Sequence, residues 1–157
     1  MFKFFKILLG LSFIVYLFAL AVILFLGSRG LMWSDLSLLE YIKNSSNFVP
    51  FKTINLYIQA LSEETMNIDI PIKNLAGNLL LFLPMGIYLP LLFRKFNQVA
   101  MFSIFMIILL FIVEAVQILT RLGSFDIDDF ILNMLGALIG FALWNSKSFQ
   151  KLLMKIQ

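Results

Sequence analysis

The stretch "VEAVQILTRLGSFDIDDFILNMLGALIG", residues 113–140, decides how this chain folds. Both of its ends are apolar enough for hydrocarbon. Within it stand Glu114, Gln117, Arg121, Asp126, Asp128, Asp129 and Asn133. Charged groups are costly at membrane depth and occur there facing the protein interior or a wet cavity. The stretch therefore reads as the end of one membrane span, a tight polar turn, and the start of the next.

Working outward, the third span is "AMFSIFMIILLFIVEAVQILT", residues 100–120, and the fourth is "IDDFILNMLGALIGFALWN", residues 127–145. Asp126 is placed to cap the fourth, and Asp129 falls in its first turn, where a negative charge suits the helix dipole. Upstream, residues 71–93 form a second span. Pro71 suits its start, and Pro84 takes the normal partner from the Leu80 carbonyl and predicts a kink. Residues 7–27 form the first. Each span approaches the roughly 20 apolar residues that cross a bilayer. Lys3 and Lys6 precede the first span, as in a signal peptide. Its long apolar run, with no small-x-small site after it, favours an uncleaved anchor.

The composition agrees. Of 157 residues, 61% are hydrophobic and 13% charged, against roughly half and a quarter in soluble domains. With no cysteine and no histidine, disulfides, thiolate or imidazole metal sites and Ser-His-Asp catalysis are excluded. No basic stripe with interleaved aromatics is present, which argues against nucleic acid. Between the first two spans, "SDLSLLEYIKNSS" (34–46) reads as a short helix capped by Ser34. "TINLYIQALSEET" (53–65) has apolar residues at helical spacing and is expected to pack on the bundle rather than lie in the interface. The fold class is all-α: one domain, 1–157, an integral membrane four-helix bundle with short extracellular amphipathic helices between spans one and two. Lys3, Lys6, Arg94, Lys95, Lys147, Lys151 and Lys155 share one side. By the positive-inside rule, both termini are cytoplasmic.

Glu114, Gln117 and Arg121 share one face of the third span, and Asp126, Asp129 and Asn133 one face of the fourth. Asn74 and Asn78 are an i, i+4 pair on the second. Three helices thus aim polar groups at one end, which predicts a ligand-binding pocket made of Asn74, Asn78, Glu114, Gln117, Arg121, Asp126, Asp129 and Asn133. In it Arg121 with the two asparagines could grip a phosphate or carboxylate. Asp126, Asp128 and Asp129 could hold a hard cation, although "DIDD" lacks calcium-loop spacing. Glu114 could titrate as a proton relay. Glu114 and Asp129 are the candidate catalytic groups, and no cofactor is identified. The plainer reading makes the amides interhelical glue, worth about 0.6 kcal/mol on average in membranes. Gly136 and Gly140 form a G-x-x-x-G pair that suits close helix packing or an oligomer face.

Four blocks carry a family resemblance: "NFVPFKTI" (47–54), "NLAGNLLLFLPMGIYLP" (74–90), "EAVQILTRLGSFDIDD" (114–129) and "NMLGALIG" (133–140). In order and spacing the chain resembles the VanZ-like membrane proteins. Asn74, Asn78, Pro84, Gly86, Glu114, Gln117, Arg121, Asp126, Asp129, Asn133 and Gly136 fall on that family's motif positions. The resemblance implies a bacterial cell-envelope protein of the cytoplasmic membrane, in a family named for a member that lowers susceptibility to teicoplanin. It implies no settled chemistry. The functional expectation is a pocket in the outer leaflet for an amphiphilic or lipid-linked ligand, such as a cell-wall precursor or a lipoglycopeptide. The alternatives are a hydrolase or transferase acting on a lipid headgroup, and a structural assembly protein. Membrane lipids are the remaining expected partners.

Overall fold

A computed structural model describes residues 2–26, 36–147 and 149–151. Helix α1 runs Phe2–Leu26, α2 Leu38–Asn44, α3 Lys52–Glu63, α4 Asp69–Leu81, α5 Leu83–Leu92, α6 Val99–Leu119 and α7 Ile127–Asn145. A 3-10 turn, Arg94–Asn97, joins α5 to α6. Two-residue strands β1 (Ser46–Asn47) and β2 (Phe125–Asp126) pair in parallel, Ser46 with Phe125 and Asn47 with Asp126.

Among the described residues, four helical stretches are long and apolar enough to cross a membrane: Ile7–Leu26, Asp69–Leu92, Val99–Leu119 and Ile127–Asn145. The second is made of α4 and α5. The chain breaks at Phe82, two residues before Pro84, as expected of a ring without an N–H. The Met85 N–H turns to the Phe82 carbonyl at 3.1 Å, and the Tyr16 hydroxyl of α1 donates to the Leu81 carbonyl at 2.9 Å. A span has no water to satisfy such a freed carbonyl, so a neighbouring helix must supply a donor.

The apolar surface is divided between a core and an outer coat. Phe82, Phe102, Met106, Leu110 and Ala137 are sealed inside, with Leu20 and Leu24 of α1 in the same cluster. Ile104, Ile107, Ile108 and Phe111 lie exposed along α6. Such a coat suits lipid and would be a liability in water. α7 makes its most extensive contacts with α5 and then with α4. A Cβ on Gly136 would stand 1.9 Å from the Leu79 carbonyl oxygen, and one on Gly140 2.0 Å from that of Leu83. The G-x-x-x-G face, read in sequence as packing or an oligomer face, is filled by α4 and α5 of the same chain.

Before the second span, α2 is capped by Ser37 in a reciprocal capping box with Glu40. Hydrogen bonds from the Ser37 hydroxyl and N–H hold the Glu40 carboxyl below the usual carboxylate range. Ser34, the expected cap, lies outside the described residues. α3 packs on α4 and α7, with Ala60 buried.

Candidate functional site

The polar residues do converge on one end of the bundle, and helix termini explain most of them. Four N–H groups at a helix start and four carbonyls at its end lack partners within the helix. At this end α1 and α6 stop, and α2, α3, α4 and α7 lie or begin. The side chains answer the backbone groups those termini expose.

Asp126 caps α7, its Oδ1 accepting from the Asp128 N–H at 2.9 Å. The same oxygen accepts from the Asn47 amide at 3.0 Å, and Oδ2 from the Thr53 hydroxyl at 2.6 Å. β1, β2 and α3 are thus drawn to one carboxylate. Asp128 points away from this face, as its position on the helix predicts, and reaches the start of α3. Its Oδ1 accepts from the Phe51 N–H at 2.6 Å, and its Oδ2 from Thr53 and Ile54 N–H at 2.7 and 3.1 Å. Asp128 is 0% exposed. Phe51 takes a left-handed conformation, φ 65°, which turns successive N–H groups inward as an anion-binding nest. The nest's anion is the protein's own carboxylate. Among the described residues no three acids come together to hold a metal ion.

On the α4 side, the Asn78 amide donates to the Asp129 carboxylate and ties α4 to α7. Asn74 turns back to the Ile70 carbonyl of its own helix at 2.8 Å. Asn133 is buried on the α7 face shared with Asp129 and Gly136, and its Oδ1 has no hydrogen-bond partner among the described residues. Leaving a buried acceptor unpaired costs about 1–3 kcal/mol.

On the α6 side, Gln117 is 1% exposed and donates to the Leu24 carbonyl in the last turn of α1 at 2.9 Å. Gln117→Met keeps the side chain's bulk and removes this donor. The variant is expected to lose about 1 kcal/mol of stability, read as a lower midpoint on unfolding in mixed micelles. Glu114, 3% exposed, accepts from the Asp126 N–H at 3.3 Å and links the two sides of the cluster.

Arg121, like Phe51 and Glu64, has a left-handed backbone, here at the end of α6. Leu122 N–H bonds the Gln117 carbonyl at 3.0 Å, and Arg121 N–H bonds that of Ile118 at 3.2 Å. This is a Schellman ending, in which the left-handed position usually belongs to glycine. Arg121 fills it at φ 56°. Its guanidinium donates to the Leu36 carbonyl at 3.0 Å and lies 5.5 Å from the centre of the Tyr41 ring. The Tyr41 hydroxyl in turn donates to the Gly123 carbonyl at 2.9 Å. Arg121 therefore faces α2, and Asn74 lines a narrow crevice between α3, α4 and α7 too tight to admit water. The eight residues expected to form one pocket lie at one end in two groups, bridged by Glu114. Asn47, Thr53 and Tyr41 belong to the cluster too. The polar residues flanking Pro50 in "NFVPFKTI" are the signal that could have found the first two.

Four membrane-spanning helices with a buried polar network confined to one end define a multi-pass, all-helical membrane protein. The chain belongs to the VanZ/LLP1 family, whose model matches residues 13–150. Family membership is consistent with a cell-envelope protein linked to teicoplanin resistance. No curated protein and no solved structure matches it.

Proposed function

We propose that this is a cell-envelope factor of the bacterial cytoplasmic membrane whose polar end faces outward. There it engages the anionic part of an amphiphilic or lipid-linked ligand. Arg94, Lys95, Lys147 and Lys151 gather at the opposite end of the spans, which supports cytoplasmic termini. A protein placed this way would reduce the access of lipid-anchored glycopeptides to their cell-wall target.

The observation that carries the reading is Arg121 in a glycine position. A left-handed conformation costs an ordinary residue roughly 1–2 kcal/mol, so the backbone alone would prefer glycine. Strain of this kind, held by a surrounding hydrogen-bonded turn, is a mark of functional positions. The side chain is a partly exposed guanidinium at the end where the span meets water, suited to a phosphate or carboxylate. Buried Glu114 lies about 10 Å deeper along α6, at 1.5 Å per residue. With Asp129 it balances the cationic charge. Asn78 of α4 and Asn133 of α7 are buried polar groups at the same end.

Arg121→Gly separates function from folding. It relieves the strained backbone while removing the guanidinium, so membrane levels and unfolding midpoint are expected to stay near wild type. The effect on teicoplanin susceptibility, measured in a host that displays it, is expected to vanish. The same variant is expected to lose an anionic amphiphile held at the polar end, identified by mass spectrometry of the protein purified in native lipid. Wild-type susceptibility with Arg121→Gly would remove the ligand reading and leave the polar end as a set of helix caps.

A further inference from the structure

An apolar cavity of about 430 Å³ lies between α1, α5 and α6. Aromatic contacts join α1 to α5 beside it. The Tyr88 ring of α5 is 5.2 Å from Phe13 and 5.7 Å from Tyr16, and its hydroxyl donates to Ser12. Leu17 lines the cavity from α1, Phe82 and Phe93 bound it along α5, and Phe105 and Val113 along α6. Phe82 to Phe93 spans about 16 Å, and Phe105 to Val113 about 12 Å, at 1.5 Å per residue. Half of a hydrocarbon core of ~30 Å is about 15 Å. The cavity therefore runs the depth of one leaflet. Its volume falls within the ~300–1,000 Å³ of ligand sites.

Among the described residues, Lys95, in the Arg94–Asn97 turn, is the cation that lines this apolar space. Its ammonium sits 4.9 Å from the centre of the Phe96 ring, and Phe96 is buried in the cavity wall. Arg94 is its neighbour in sequence. Trp144 of α7 bonds Asn97 at 3.1 Å, which brings the basic segment after α7, with Lys147 and Lys151, to the same end. We propose that the cavity holds one acyl chain of an anionic phospholipid, with the headgroup phosphate at Lys95. At this depth the medium is acyl chain, so a greasy slot open to it fills with hydrocarbon. Basic side chains at the membrane surface select lipids of negative charge. The site lies away from the polar end and does not rest on the ligand proposed there.

The full chain, released from micelles into a mass spectrometer with phosphatidylglycerol or phosphatidylcholine added, tests this. Wild type is expected to keep one phosphatidylglycerol per chain, favoured over phosphatidylcholine by about fivefold, the discrimination of one surface cation. Lys95→Gln, an exposed substitution that leaves the fold intact, removes the preference and retains binding. Leu109→Trp, in the α6 wall between Phe105 and Val113, or Leu17→Trp fills the slot and lowers retention of both lipids, with helical content unchanged by circular dichroism. Equal retention of the two lipids by wild type overturns the proposal. So does a second copy of the chain bound in place of lipid, or a preference that Lys95→Gln leaves unaltered.

Discussion

Asp128→Ala is expected to reduce stability by about 3 kcal/mol, because it strands backbone N–H donors at about 1–3 kcal/mol for each one left unsatisfied. A surface helix cap is worth about 1 kcal/mol. Asp128 exceeds that because it is fully buried and one carboxylate satisfies the N–H groups of Phe51, Thr53 and Ile54. With the side chain gone, these donors lose their acceptor, and nothing repays Phe51 for its positive φ. The first turn of α3 then frays, and the Asn47–Thr53–Asp126 network loses its seat. Asp128→Asn keeps one oxygen and is expected to fall between the two. Unfolding in mixed micelles gives the magnitude, and protease cleavage rising first near residues 48–55 gives the place. A loss under about 1 kcal/mol would show that the acid acts as an ordinary cap, with water free to take over.

That position also shows where the sequence stopped informing. The four spans were legible because lipid demands long apolar runs and hydrogen-bonded backbone. The described helices lie within a few residues of the segments read from sequence. Pro84 announced the α4–α5 break, and the Asp126 cap was visible because cap and helix are adjacent. Asp128 was not, because its partners lie 74 to 77 residues earlier in the chain. The same holds for Gln117, grouped with Glu114 and Arg121 by its place on α6. It turns instead to Leu24, 93 residues away. A helical wheel gives the face of a residue and not the identity of what stops beside it. The Ser37 cap had a local signal, since S-x-x-E at Ser37–Glu40 is the capping-box pattern.

Gly136→Leu is expected to abolish folded protein rather than weaken it. A Cβ at Gly136 meets the Leu79 carbonyl oxygen at 1.9 Å and its carbon at 2.8 Å, both backbone atoms that no rotamer change can move. The neighbouring contacts are equally close: Gly140 on Leu83, and Gly86 on Ala137 and Phe141. Three glycines thus set the separation of α7 from α4 and α5. A leucine must part these helices, and the Asn78–Asp129 link goes with them. Even Gly136→Ala should cost at least ~3 kcal/mol, at the upper end for overpacked sites. Gly10→Ala and Gly77→Ala are the controls, because a Cβ there meets nothing within 4 Å. They should leave membrane levels unchanged. The pattern across variants separates scaffold from ligand site: Gly136→Leu removes protein and phenotype together, and Arg121→Gly removes the phenotype alone. If Gly136→Ala instead left the monomer intact and changed only the mass of the assembly in native gels, this face would serve a second copy. The intramolecular packing of α7 on α4 would then be the wrong account of these glycines.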